Sequence, residues 1–191
     1  MGKQKYLGKI EELFRKSPVV SFSSIQKYAK NKEYAKQIIH NLLARDKIKR
    51  VTKGFYTVSD NPQLSVFCFK PAYFGLQDAL SFHNIWEQET VPIIITTRKV
   101  RTGIRSILGM NTLIRRIEKK YFFGFDYVQQ GNIYVPYSDV EKTFIDMLYF
   151  NENSDKETMK NIASRIDISK LNSYLKFYRQ IFRKKVMKRL Q

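Results

Sequence analysis

Six side chains in this sequence are of types that shuttle protons, attack electrophiles or hold metals: His40, Cys68, His83, Asp139, Glu141 and Asp146. A cysteine beside a histidine can act as nucleophile and base. The chain has one cysteine and two histidines, and the histidines fall in different predicted domains, so no such pair is expected. A lone cysteine also excludes an internal disulfide framework and a Cys-based zinc site. Two-metal nucleotidyl transfer needs paired carboxylates to hold hard cations against phosphates. Glu141 and Asp146 sit five apart on a predicted helix, a rotation of about 500°, so they are poorly aligned for that work. Asp139 and Glu141 occupy a first helical turn, where acids favour the helix dipole and capping is the expected role. Asp146 interrupts an apolar helix and reads as a paired structural carboxylate. GxxxxGK(S/T), GxGxxG after a strand, and a Gly-Ser turn followed by Asp-x-Asp are all missing. The expectation is no catalytic residue, no metal and no cofactor.

Charge is more informative than this short list. The chain carries 35 Lys+Arg against 17 Asp+Glu, a formal +18, well beyond the roughly 2–8 typical of a small domain. Residues 1–60 hold 14 basic and 5 acidic residues; residues 61–191 hold 21 and 12. Within the second part, 98–120 has eight basic residues and one acid, and 176–189 has seven and none. Such fields attract polyanions, and charge alone fits DNA, RNA or an acidic membrane surface. With 43% hydrophobic and 14% aromatic residues, the chain is too apolar to be disordered. Its dense apolar runs, such as 91–95, fall far short of the roughly 20 residues that span a bilayer. The first residues lack an apolar signal core, and Tyr6 stands where a myristoylation signal wants Ser or Thr. A cytoplasmic protein with an anionic partner and no membrane attachment is expected.

The elements that would position this charge follow from periodicity. Residues 3–16 carry Leu7, Ile10, Leu13 and Phe14 at helical spacing, and Ser17-Pro18 stops the helix. Val19-Val20 suits a short strand. Ser23-Ser24-Ile25-Gln26 reads as a capping box opening a short helix to about Ala29. Asn31 is the expected N-cap of a third helix to about Arg45, with Ala35, Ile38, Ile39, Leu42 and Leu43 on one stripe. Then 48–51 and 55–58 read as strands around the turn Thr52-Lys53-Gly54, a hairpin with a basic tip. Three helices followed by a basic hairpin is the order of a winged helix-turn-helix, in which the third helix enters the major groove. Asp60-Asn61-Pro62 reads as a linker, which divides the chain into 1–60 and 61–191.

The second part is mixed. Residues 63–69 fit strand or helix. A helix is expected at about 75–83, and strands at 91–97, 112–117, 121–127 and 133–135. Ser138-Asp139-Val140-Glu141 is a second capping box, opening a helix to about Phe150, and 154–157 caps another. A last helix from 167 or 169 carries Leu171, Leu175, Tyr178, Phe182, Val186 and Leu190 on one stripe. The fold class expected is α+β: an N-terminal winged helix-turn-helix, then a mixed α/β domain ending in a basic helix.

Three segments then look familiar together: IKRVTKGFYTV, PAYFGLQDALSFHNIW and VPYSDVEKTFIDMLYF. They resemble, in the same order, the AbiEi-type antitoxins, the transcriptional regulators of abortive-infection type IV toxin–antitoxin systems. The resemblance is carried by Gly54-Phe55-Tyr56, Ala79-Leu80, His83-Asn84, Glu141-Lys142 and Asp146, and covers about residues 20–150. Asn84 replaces the usual glycine, and Ser138-Asp139 replace a Pro or Ala before the Glu. The resemblance implies a winged-helix domain, a mixed α/β domain, and repression of the protein's own operon through promoter inverted repeats. It also implies a nucleotidyltransferase-fold toxin, countered without a stable complex.

The expected function is sequence-specific binding of double-stranded DNA by a repressor, with base contacts from Lys32, Lys36, Gln37, His40 and Asn41. Gln can read adenine bidentately, and Lys can read guanine or hold a phosphate. His40 serves as a base or phosphate contact, or simply faces solvent. Lys49, Arg50 and Lys53 are the expected backbone contacts of the wing, although a solvated turn lysine is the bland reading of Lys53. A second basic surface would come from Arg98, Lys99, Arg101 and Arg105, or from Arg183, Lys184, Lys185 and Lys188. Two other classes compete: an RNA-binding module using the aromatics of 121–125 as a stacking platform, and a nucleotidyltransferase-like enzyme in 71–191. For the aromatics, core packing is the competing reading.

Overall fold

Asn31 sets the start of the third helix. In the structure, a computed structural model that describes residues 2–190 and the side chains of 8–190, its Oδ1 accepts from Tyr34 N–H at 2.8 Å. The helix that follows, α3 (Lys32–Ala44), buries Ala35, Ile38 and Ile39, the stripe that the 3–4 spacing requires. Two helices precede it, α1 (Gly2–Lys16) and α2 (Phe22–Tyr28), with the short strand β1 (Val20–Ser21) between them. Of the stripe expected on α1, Leu7 lies outside the described side chains; Ile10 and Phe14 are buried. After α3 come β2 (Lys49–Thr52) and β3 (Phe55–Thr57), forming a three-stranded sheet in the order β1-β3-β2. The hairpin register shifts between Arg50 and Thr52, and Gly54 turns the tip at φ +81°, a conformation that favours glycine. One core holds Ile10, Phe14, Val20, Ile25, Ala35, Ile38, Ile39, Ile48 and Tyr56. Burying each large apolar side chain there contributes about 1.5–3 kcal/mol.

The chain divides into two units, 1–68 with 106–110, and 69–105 with 111–191. The second sheet has six strands: β4 (Ala72–Phe74), β5 (Ile93–Thr96), β6 (Gly103–Ile107), β7 (Met110–Arg116), β8 (Phe125–Gln130) and β9 (Ile133–Ser138). Their order is β6-β7-β5-β4-β9-β8. It is a mixed sheet: β4 runs antiparallel to β5 and parallel to β9, β5 is parallel to β7, and β8 is antiparallel to β9. The all-buried Ile93–Thr96 strand is what a strand covered on both faces requires. Helices α4 (Leu76–Phe82), α5 (Val140–Tyr149), α6 (Lys156–Arg165), α7 (Ile168–Leu175) and α8 (Gln180–Leu190) complete the unit. Its core gathers Tyr73, Leu80, Ile95, Phe144, Ile162, Leu171, Tyr178 and Val186, among others. The protein is therefore a mixed α+β structure.

Several local expectations need correction. The cap of α2 is Ser21, whose Oγ accepts from Ser24 N–H at 3.1 Å, so the helix begins at Phe22 and the box is displaced from Ser23. The cap of α5 is Asp139; the Ser138 hydroxyl is instead buried in β9, paired with Thr143 Oγ1 at 2.7 Å. For residues 63–69, left open between strand and helix, the structure has the helical alternative, a 3-10 helix Pro62–Phe69. The short β4 was not anticipated, and the end of the basic 98–106 stretch is strand β6. The expected strand at 121–127 starts only at Phe125. A 3-10 turn (Lys119–Tyr121) precedes it, and Gly124 at φ +70° breaks the extended run. A Cβ on Gly124 would lie 2.8 Å from Lys142 Cβ.

The last helix is two helices, α7 and α8, with 176–179 between them. Arg183 holds the break open: its Nε donates to Tyr178 O and its Nη2 to Lys176 O, each at 2.7 Å. This satisfies carbonyls freed where α7 stops. The break also lets Tyr178 stack on Tyr121, ring centroids 4.2 Å apart.

Candidate nucleic-acid interface

Opposite its buried stripe, α3 exposes Lys32, Lys36, Gln37, His40 and Asn41. They form two adjacent rows, 32/36/40 and 37/41, each stepping by four residues. At about 1.5 Å per residue the span from 32 to 41 is roughly 14 Å. Lys36 Nζ sits 2.9 Å from Glu33 Oε1, with both side chains largely in water; such a pair is weak and can yield to a phosphate. Lys32, Gln37, His40 and Asn41 have no side-chain partner among the described residues. The structure thus brings all five expected residues onto one open face.

The expected wing is less uniform. Arg50 and Lys53 are exposed and without partners among the described residues. Lys49 is half-buried and ion-paired with Asp60, so it is committed within the chain. Lys27 and Lys30, which were not among the expected contacts, are also exposed, one in the last turn of α2 and the other in the turn leading into α3.

In the second unit the expected basic sets are dispersed. Arg98, Lys99 and Arg101 lie exposed between β5 and β6. Arg105 turns back, donating to Arg101 O with its guanidinium 5.9 Å from the Phe69 ring centroid. On α8, Arg183 is used to cap carbonyls. Lys185 Nζ donates to Leu148 O at 3.1 Å and to Asn151 Oδ1 at 2.9 Å. Lys184 and Lys188 are exposed and unpaired among the described residues.

The residues with chemical potential are occupied structurally. Asp139 Oδ1 caps α5, accepting from Lys142 N–H at 2.7 Å, while its Oδ2 accepts from Tyr174 Oη at 2.7 Å and lies 3.1 Å from Lys170 Nζ. Glu141 lies 3.2 Å from the same ammonium and accepts from Asp167 N–H at 2.9 Å. Burial works against the Lys170 charge, but Asp139 and Glu141 outweigh it and raise its pKa. Asp146 and Lys142 are both fully buried and form an ion pair. Tyr73 Oη donates to Asp146 Oδ2 at 2.7 Å, and Lys142 Nζ is 3.3 Å from Tyr178 Oη. Burial pushes the Asp146 carboxyl up and the Lys142 ammonium down, each restrained by the opposite charge. Burial and the Asp146 charge push the Tyr73 phenol up, so it remains a donor. His83 joins α4 to β9, its Nε2 2.7 Å from Ser138 O. Cys68 is buried.

The aromatics of 121–125 pack on one another and their neighbours. Phe122 lies 4.9 Å from Phe125 and 5.3 Å from Tyr73, and Phe123 contacts Tyr174 and Phe177. Among the described residues no three His, Cys, Asp or Glu gather where they could hold a metal ion. No described helix is long and apolar enough to cross a membrane.

No family model and no curated protein matches this sequence. Its fold is similar to the crystal structure of the RV2827C protein from Mycobacterium tuberculosis, with a TM-score of 0.60 at 10% identity over 97% of this chain and 76% of that one. At that identity the likeness is one of fold.

Proposed function

We propose that the protein is a cytoplasmic, sequence-specific repressor that binds double-stranded DNA through an N-terminal winged helix-turn-helix. In this reading α3 enters the major groove and the β2–β3 hairpin is the wing. The observation that carries it is the outward face of α3: Lys32, Lys36, Gln37, His40 and Asn41 on one exposed surface, in a chain of net charge +18. Amide and amine side chains in that setting suit base edges, and the surrounding cations suit phosphates. Arg50 and Lys53 are the wing's contacts; Lys49, paired with Asp60, contributes only by giving up that partner. The resemblance to AbiEi-type antitoxins supports a narrower reading: an autoregulating antitoxin of a type IV system, acting on promoter inverted repeats. Its functional counterpart is a nucleotidyltransferase-fold toxin.

Gel shifts with the protein's own promoter test the proposal. Lys36→Ala with Gln37→Ala is expected to cost about 1–3 kcal/mol on the operator and to relax sequence preference. Lys53→Ala is expected to weaken all duplexes alike and to lower the salt slope by about one. Preference that survives the first change, or single-stranded RNA outcompeting the duplex, defeats the reading.

A further inference from the structure

We propose that the second unit binds a small organic anion with an apolar body in a cleft bounded by α5, α6 and α8. The cleft encloses about 460 Å³, within the ~300–1,000 Å³ usual for small-molecule sites. Its floor is apolar, with Met147 and Leu148 from α5 and Met159 and Ile162 from α6. Its rim on α8 is Lys188 and Arg189, both exposed and unpaired among the described residues. A second hollow of about 340 Å³, sharing Ser154, Met159 and Arg189, continues toward Lys156 and Lys160. Those lysines are also exposed and unpaired among the described residues.

Two unpaired cations, Lys188 and Arg189, therefore rim the apolar hollow, with Lys156 and Lys160 on the second hollow that shares Arg189, and the one acid lining the first is neutralised: Glu152 Oε1 is 2.5 Å from Arg115 Nη2. Lys185 forms wall, since it is already held by Leu148 O and Asn151. Burying the floor rewards an apolar body, and the unpaired cations reward a carboxylate or phosphate head. A bare inorganic ion would leave the floor uncovered. This site separates Lys188 from the DNA footprint expected of α8 and does not depend on the DNA-binding reading.

Two sources share this chemistry, a nucleoside phosphate and a fatty-acid carboxylate. Fluorescence titration of the full chain with mant-AMP and, separately, cis-parinaric acid tests the site without DNA. One probe is expected to saturate at one per chain. Lys188→Gln with Arg189→Gln is expected to weaken it about tenfold or more. Met159→Trp, which fills the floor, should abolish binding. Lys184→Gln, which removes one positive charge elsewhere on α8, should change affinity less than twofold, against a loss of at least about threefold for Lys188→Gln alone. Saturation by mant-AMP assigns a nucleoside phosphate, and saturation by parinaric acid a lipid anion. Binding of neither probe overturns the proposal, as does equal loss in the Lys184 variant or displacement by inorganic phosphate at the probe's own concentration. The charge variants alter only exposed side chains, so they decide the matter even if the tryptophan variant does not fold.

Discussion

Lys142 and Asp146 stand one turn apart on α5 with no exposed surface; burial pushes each toward its neutral form, and the opposite charge of the other resists that push. Removing one partner strands a buried charge, so Lys142→Met is expected to cost about 3–5 kcal/mol in urea denaturation. Changing Asp146 to Leu as well should recover much of that loss, since an apolar pair needs no mutual neutralisation. Asp78 makes a different case. Its Oδ2 accepts from Ile93 N–H at 2.9 Å, yet loss of water pushes its carboxyl up to about 7, with the backbone donor pulling down. The folded state then holds a proton that the unfolded chain has released between about pH 4 and 7. Stability from this group is full below that window and falls as pH rises through it, by at most about 1.4 kcal/mol per pH unit. Asp78→Asn keeps the acceptor, so its melting curves should lose this slope and the variant should gain most above pH 7. A carboxylate inside an apolar helix pattern already implies that Asp146 is paired. The i, i+4 partner was close enough in sequence to find, but Tyr73, 73 positions away, was beyond any local pattern.

Among the elements, α3 was legible almost to the residue because its cap, apolar period and end are all local. Asn31→Ala removes the bond to Tyr34 N–H and should cost about 1 kcal/mol in thermal unfolding of the first unit. If α3 is the DNA reader, operator affinity should fall in parallel. The α7–α8 break was illegible for the opposite reason. Its apolar stripe runs on without a proline or glycine, and what marks the break is a side chain eight residues past the end of α7, Arg183, taking up the carbonyl of Tyr178. The same holds at 121–124: an aromatic run has strand propensity, but contacts with Tyr73, Tyr174 and Tyr178 claim these rings first. Basic stretches were visible as charge, but their use was not. Arg105 and Arg183 serve backbone carbonyls, Lys185 serves α5 and its exit, and the cations of the two neighbouring hollows come from segments distant in sequence, 156–160 and 188–189.

For the whole molecule, a surplus of +18 sets up a field that attracts polyanions at long range and weakens as salt rises. That field is shared by both units, so it draws in a partner without choosing where it lands; in the proposed readings, choice belongs to the α3 face and the cleft. One lysine takes no part in the field. Lys142, walled in by α5, Gly124 and the rings of Phe123 and Tyr178, cannot meet a reagent dissolved in water until the fold around it comes apart. A brief pulse of an acylating reagent should therefore tag Lys156 and Lys184 at once, while Lys142 acquires its tag only at the rate of cooperative opening. Peptide mapping by mass spectrometry would read that rate directly, and rapid tagging of Lys142 in the native protein would mean that this wall is breached. The interior amine is thus a built-in clock, keeping time by how often the second unit lets go of its own core.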